Sequence, residues 1–327
     1  MSISSKLPNQ LNIVRTFVNA RVKWVRDPYL DTAVQKEKNL KQVISLKNQI
    51  ISSPSESLPL STASLLKTPF NLPTTTAKFM DKYHFVFAHF QSSPRLHPHV
   101  RLTPRALALH REEMAIHDSP TNREDTVQRL AKLLMLADPS TGKELLALEL
   151  VSWRKELATS ELEKRVMRWD CSGQKGSHNI AFPMSLPKGF DLEKKVKNWV
   201  EEWQALPYIS PYENAFHLEP NSDLGEKWIV AILHELLWLL VSKKTEGENL
   251  LYLGEFLGLG SRFKKALAHH PGIFYRSNKI RTQTVVLREA YRKDFLVEKH
   301  PLMGMRHRYI HLMTKANKKG KPATIVA

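Results

Sequence analysis

The same succession of elements is readable at both ends of this sequence, and it restricts the fold more than any other feature. Near the N-terminus, apolar Val34, Leu40, Val43, Ile44 and Ile50 recur at helical spacing, with Lys36, Lys38, Lys41 and Lys47 mostly between them. That pattern predicts one amphipathic helix over 30–51 with a basic outer face, ended by Ser52, Ser53 and Pro54. Short helices over 60–67 and 74–83 follow. Next come a strand over 85–90 and its partner over 99–103, across a Pro-containing loop. Pro104 then opens a helix reaching Ile116, since its fixed φ suits the first helical position. Toward the C-terminus the spacing predicts helices over 226–242, 250–257 and 261–269, then strands over 272–276 and 280–287. A closing helix is expected over 288–298. The run Phe79–Phe87 shares an aromatic–basic–aromatic order with Phe263–Phe274, at a spacing that differs by a few residues. Three short helices followed by a two-stranded wing is the outline of a winged helix-turn-helix.

Between the two copies lies an incomplete third. A helix is predicted over 123–137, with Val127, Leu130, Leu133 and Leu134 on one face, and a strand over 145–153, separated only by the turn 138–143. Asp170–Gly189, rich in Gly, Ser and Pro, reads as a linker. A helix over 192–204 follows, carrying Trp199 and Trp203 four residues apart as a packing face. The expected fold class is therefore mainly α with short β-hairpins (α+β), arranged as tandem winged-helix-like units with the middle one truncated. The boundaries are an organelle transit peptide or basic arm at 1–29, a first unit at 30–120, the truncated middle unit and linker at 121–190, a C-terminal unit at 191–312 and a basic disordered tail at 313–327.

Charge narrows the partner. The chain carries 49 Lys and Arg against 32 Asp and Glu, a net charge of +17. Such a surplus suits a polyanion, because each phosphate neutralised releases condensed counterions. The first 26 residues hold Lys6, Arg15, Arg21, Lys23 and Arg26 without an acid, together with Leu11, Ile13, Val14, Phe17 and Val18. Acid-free, Arg-bearing, Ser-containing amphipathic starts are what organelle import receptors read; a plain basic arm is the alternative. The longest apolar run, Ile229–Val241, is interrupted by His234 and Glu235 and reads as a buried helix, too short to span a bilayer. No membrane association is expected.

Motifs for catalysis fail on inspection. Asp138–Glu144 superficially resembles a phosphate loop, but Ala137 and Glu144 stand where Gly and Ser or Thr are needed. Gly258-Leu-Gly260 begins a dinucleotide fingerprint that Phe263 breaks. His97, His99, His269, His270, His307 and His311 have no Asp or Glu at ligand spacing, so they read as solvated or RNA-facing residues rather than metal ligands. Cys171, the one cysteine, lies beside Asp170, which would raise its thiol pKa, and reads as unreactive. No catalytic residue, metal, cofactor or small-molecule substrate is expected.

The basic clusters say more. Between Arg276 and Ala327, thirteen Lys and Arg stand against Glu289, Asp294 and Glu298. Tyr275, Arg276, Lys279 and Arg281 set an aromatic among cations on the predicted C-terminal wing, where bases could stack and phosphates be reached. Tyr275 stays open between that role and a place in the core; Phe274 is read as core. Arg288, Arg292 and Lys293 continue the cluster on the predicted closing helix. Lys82, Arg95, Arg101 and Arg105 form its counterpart in the first unit. These eleven residues are the candidate RNA contacts.

Several blocks, taken in order, resemble the plant organelle RNA recognition domain family. They are Leu30-Asp-Thr-Ala-Val-Gln-Lys-Glu-Lys-Asn-Leu40, Ser57-Leu-Pro-Leu-Ser61, Arg101-Leu-Thr-Pro104, Arg129–Met135, Leu206–Glu213, His234-Glu-Leu-Leu237, His270-Pro-Gly-Ile-Phe-Tyr275, Thr284–Arg292 and Glu298–Leu302. The resemblance covers about residues 24–314, and the HPGIFY and TVVLREAYR blocks are specific. It implies a mitochondrial or chloroplast RNA-binding protein without catalytic activity, acting in group II intron splicing on intron-containing transcripts, with other splicing factors as possible partners. In one respect the chain departs: the family's WDLGLPDDF-like block is replaced by Asp138–Lys143, at the truncated middle unit. The alternative class is a structural component of an organellar ribonucleoprotein such as the mitochondrial ribosome, bound to rRNA and ribosomal proteins. Location is expected to be mitochondrial, with the chloroplast as alternative.

Overall fold

The computed structural model describes residues 23–91, 98–136, 152–169, 180–185, 193–280 and 282–315. Within those bounds, 28–127 with 278–280 and 291–315 form one compact unit, called the first here; 23–27 with 128–277 and 282–290 form the second.

In the first unit, helix α1 (Pro28–Gln35) and helix α2 (Leu40–Ile51) replace the single helix expected from periodicity. Asn39 breaks it at φ 64°, a left-handed conformation that Asn tolerates better than most residues. Leu40, Val43, Leu46 and Ile50 of α2 enter the core. Lys47 does too, contrary to the basic outer face expected for it. Its ammonium is neutralised by Glu113 and lies 5.2 Å from the centre of the Tyr309 ring. Strand β1 (Ser57–Pro59), helices α3 (Leu60–Leu65) and α4 (Thr76–Lys82), strands β2 (Phe87–Phe90) and β3 (His99–Leu102) and helix α5 (Pro104–Asp118) follow. The sheet is antiparallel with order β1-β3-β2, one strand more than the expected wing. Leu58, Phe87, Val100 and Leu102 turn one sheet face onto the helices, against Phe79 and Met80 of α4.

The second unit repeats this order. Helix α6 (Pro120–Met135) enters it at Gln128, and helices α7 (Glu161–Trp169) and α8 (Lys194–Ala205) follow. Then come α9 (Asp223–Leu239), β4 (Lys244–Glu246), α10 (Gly247–Phe256), α11 (Gly260–His269), β5 (Phe274–Ile280) and β6 (Thr282–Leu287), in a sheet of order β4-β6-β5. Phe263 in α11 and Phe274 at the start of β5 are buried like Phe79 and Phe87 in the first unit. Helix α9 is the axis. Ser222 caps it, its Oγ accepting the Gly225 N–H at 3.0 Å, and Asp223 and Glu226 complement the positive end of the dipole. Every residue from Gly225 to Leu237 is buried, so its polar side chains must find partners inside. Gly254 lets α10 and α11 approach closely: a Cβ there would sit 2.7 Å from the Phe263 ring.

Three further expectations fail. The segment expected as a closing helix over 288–298 instead makes a 3-10 turn (Arg288–Ala290) and a two-stranded ribbon, β7 (Tyr291–Arg292) with β8 (Phe295–Leu296). Lys293, at φ 60° in the left-handed region, cannot lie inside a right-handed helix. Helix α12 (Pro301–Lys315), expected within the C-terminal unit, belongs to the first. Its Met305, Tyr309, Leu312 and Met313 recur at helical spacing and complete that unit's core. Residues 128–136 and 152–169 belong to the second unit rather than to a separate middle one. Most of the strand predicted over 145–153 and of the linker 170–189 lies outside the described residues.

Candidate nucleic-acid interface

The face of the first sheet turned away from the core carries Arg101, flanked in register by Ser57 on β1 and Ala88 on β2. Phe90 is its diagonal neighbour on the same face, and the Arg101 guanidinium lies 4.6 Å from the centre of that ring. The pair presents a planar cation and an aromatic ring together. Thr103 fixes the corner that follows: its Oγ1 donates to the Phe85 carbonyl at 2.7 Å and accepts the Ala106 N–H at 3.2 Å. This cap sets the entry of α5 and places exposed Arg105 in its first turn. A cation there is opposed by the helix dipole, a cost of a few tenths of a kcal/mol that a phosphate would reverse. Lys82, exposed at the end of α4, sits 5.5 Å over the Tyr83 ring. None of Lys82, Arg101 and Arg105 forms an ion pair among the described residues, whereas Lys36, Arg123, Arg306 and Arg308 do. Arg95 lies outside the described residues.

The C-terminal candidates divide. Arg276 is half-buried and Lys279 exposed on β5, with the Lys279 ammonium 3.9 Å from the Asp31 carboxylate. Arg281 lies outside the described residues. Arg292 and Lys293 are exposed, in the β7–β8 hairpin rather than on a helix. Tyr275 and Arg288 are interior, which corrects their assignment as RNA contacts. Tyr275 is 0% exposed. Trp24 stacks on it at 5.9 Å and the Asp27 N–H donates to its hydroxyl at 3.1 Å. Residues 24–27, assigned to the N-terminal arm from sequence, thus cover the outer side of β5, and both Phe274 and Tyr275 are buried. Arg288 donates from Nε to the Pro271 carbonyl at 2.6 Å and from Nη1 to Asp27 at 2.8 Å. Its guanidinium, 4.8 Å from the Tyr275 ring, is spent inside the fold.

The other polar groups of the second unit also hold elements together. Burial would raise the Glu226 pKa, but His269 Nδ1 at 3.0 Å and His270 Nε2 at 2.8 Å bring it down to about 2. His270 is buried on that carboxylate, not solvated. Glu289 lies 2.8 Å from His234 Nε2 and accepts from Arg165 Nη1 at 2.9 Å, tying the 3-10 turn to α9 and α7. Among the described residues no cluster of His, Cys, Asp and Glu is arranged to hold a metal ion, and no helix is long and apolar enough to cross a membrane. Cys171 lies outside them.

Sequence reasoning missed Phe90 beside Arg101, and the exposed rings Tyr29 and Phe295. The period-2 reading of the Phe85–Phe90 strand already put Phe90 on one face with Ala88, so pairing it to 99–103 would have found the first. Phe295 was hidden by the helix wrongly expected over 288–298.

The chain matches the family described as plant organelle RNA recognition domain in two segments, residues 25–141 and 140–318. They meet inside the stretch where the sequence departs from the family's pattern. WHAT'S THIS FACTOR 9, mitochondrial, of Arabidopsis thaliana is 34% identical over 91% of this chain and 86% of its own length. ROOT PRIMORDIUM DEFECTIVE 1 of the same species is 27% identical over 91% of this chain and 84% of its own length. WHAT'S THIS FACTOR 1, chloroplastic, of Zea mays is 26% identical over 88% of this chain and 66% of its own length. No solved structure matches the chain significantly. The expected mitochondrial location agrees with the 34% identical relative, and the chloroplast alternative with the maize one.

Proposed function

Because the chain belongs to the plant organelle RNA recognition domain family, we propose that it binds RNA in mitochondria and acts as a non-catalytic factor in group II intron splicing. The observation that carries the RNA-binding part is the Arg101–Phe90 pair on the outer sheet face, with Lys82 and Arg105 on the adjoining elements and none of the three cations paired with an acid among the described residues. Guanidinium and ring can meet splayed bases while the neighbouring cations meet phosphates. The element order α2-β1-α3-α4-β2-β3, matched by α9-β4-α10-α11-β5-β6, supports a tandem winged-helix-like reading with the sheets as wings. In this role the intron RNA supplies the chemistry and the protein supplies shape and charge.

Sequencing the RNA crosslinked to the protein in isolated mitochondria tests the splicing assignment. Enrichment of intron-containing transcripts is the expected result. Ribosomal RNA alone, with the protein sedimenting at near-equal stoichiometry with a ribosomal subunit, would make it a structural ribosome component instead.

A further inference from the structure

The first unit carries a second group of rings and cations, of which the sequence singled out only Arg292 and Lys293 as RNA contacts. Phe295 on β8 is 63% exposed and Tyr29 on α1 is 54% exposed. An exposed ring alone needs no explanation, but rings accompanied by cations are the arrangement that stacks on bases. Ammonium groups accompany both: Lys36 Nζ lies 4.8 Å from the Phe295 centroid and Lys293 Nζ 6.0 Å from that of Tyr29. Asp294, the one acid in the hairpin turn, is engaged by Lys36 at 2.5 Å, which also pulls its pKa down. Exposed Arg292 adds a further cation opposite Phe295 in register.

The turn itself is built for this display. Lys293 and Asp294 form the two-residue connection, and Lys293 adopts φ 60°. Gly or Asn would take that conformation with less strain. A lysine there instead carries its ammonium over Tyr29.

We propose that Tyr29 and Phe295, with Lys36, Arg292 and Lys293, form a stacking site for unpaired nucleotides of the bound RNA. This rests on the RNA-binding reading above and adds the class of RNA structure recognised. An aromatic face needs a base face, which a duplex hides in its stack, whereas the cations serve any phosphate. The flanking positive charge favours a polyanion over an apolar protein partner.

The test compares the full chain with a Tyr29→Leu/Phe295→Leu variant on an unstructured pyrimidine-rich RNA and on a blunt duplex of equal length. The double variant is expected to lose about tenfold or more in single-strand affinity. Its duplex affinity is expected to stay within about twofold, because the phosphate contacts remain. Phe295→Trp, which keeps a ring, is expected to retain single-strand affinity, and thermal melts confirm that each variant is folded. Undiminished single-strand binding by the folded double variant, as a protein occupant of the site would give, overturns the proposal. An equal loss on both probes overturns it too. If the unaltered chain binds neither RNA, it is the RNA-binding reading itself that fails.

Discussion

Replacing Glu235 with Ala is expected to destabilise the second unit by about 3–5 kcal/mol, enough to unfold a marginal domain. Glu235 is 0% exposed in the middle of α9. Its carboxylate lies 2.6 Å from the buried Lys132 ammonium, accepts the Tyr212 hydroxyl at 2.8 Å and accepts the Glu161 N–H at 2.9 Å. Burial and this carboxylate keep the Tyr212 hydroxyl protonated, its pKa raised. Truncation strands three donors at once, one of them charged. Among the described residues, Lys132 then retains the Thr159 carbonyl at 2.9 Å and the Tyr212 ring. A Lys132→Met/Glu235→Leu double variant removes both charges and should recover much of the loss. Chemical denaturation of the three proteins checks this. A Glu235→Ala protein as stable as the parent would mean that the pair is not buried as described.

Reversing the charge on the first sheet face should act on binding and spare stability. Lys82→Glu/Arg101→Glu/Arg105→Glu is expected to weaken RNA binding by roughly 2–4 kcal/mol, or about 30- to 1,000-fold at fixed salt. The three residues are exposed and pair with no acid among the described residues, so each substitution should shift stability by at most about 0.5 kcal/mol. Glu at position 105 even suits the positive end of α5. The dependence of affinity on salt should flatten by about one unit of log–log slope for each phosphate contact removed. Full affinity in a folded triple variant would place the RNA elsewhere.

Local pattern carried much of this fold. The helix start at Pro104, the buried run in α9 and the core position Phe274 follow from periodicity or from proline's fixed φ, and the structure agrees. What escaped depends on distant partners. Tyr275 is covered by Asp27, 248 residues away in sequence, and alternation along a strand cannot report what lies over its outer face. Lys47 sits on the inner side of α2 because Glu113, 66 residues on, neutralises it. Periodicity alone reads any lysine as solvent-facing. Helix α12 shows the apolar spacing of a core helix, but nothing local says which of two cores it completes.

The candidate interface was legible only in part. Lys82, Arg101 and Arg105 are exposed, as a contact residue must be, while Tyr275 and Arg288 are interior. The blocks that most clearly carry the family resemblance, HPGIFY and TVVLREAYR, supply His270, Tyr275, Arg288 and Glu289, and these tie the second unit together from inside. A motif that identifies the fold need not lie on the surface that meets the ligand. Phe90, Tyr29 and Phe295 sit outside those two blocks and emerge only from strand register and exposure.

The central claim is that this chain holds RNA through several phosphate contacts from a net charge of +17. A filter-binding titration of the unaltered protein across salt concentrations tests it most directly. Between about 50 and 200 mM salt the affinity should fall by orders of magnitude, its logarithm declining linearly with the logarithm of salt concentration. A flat response would contradict the account.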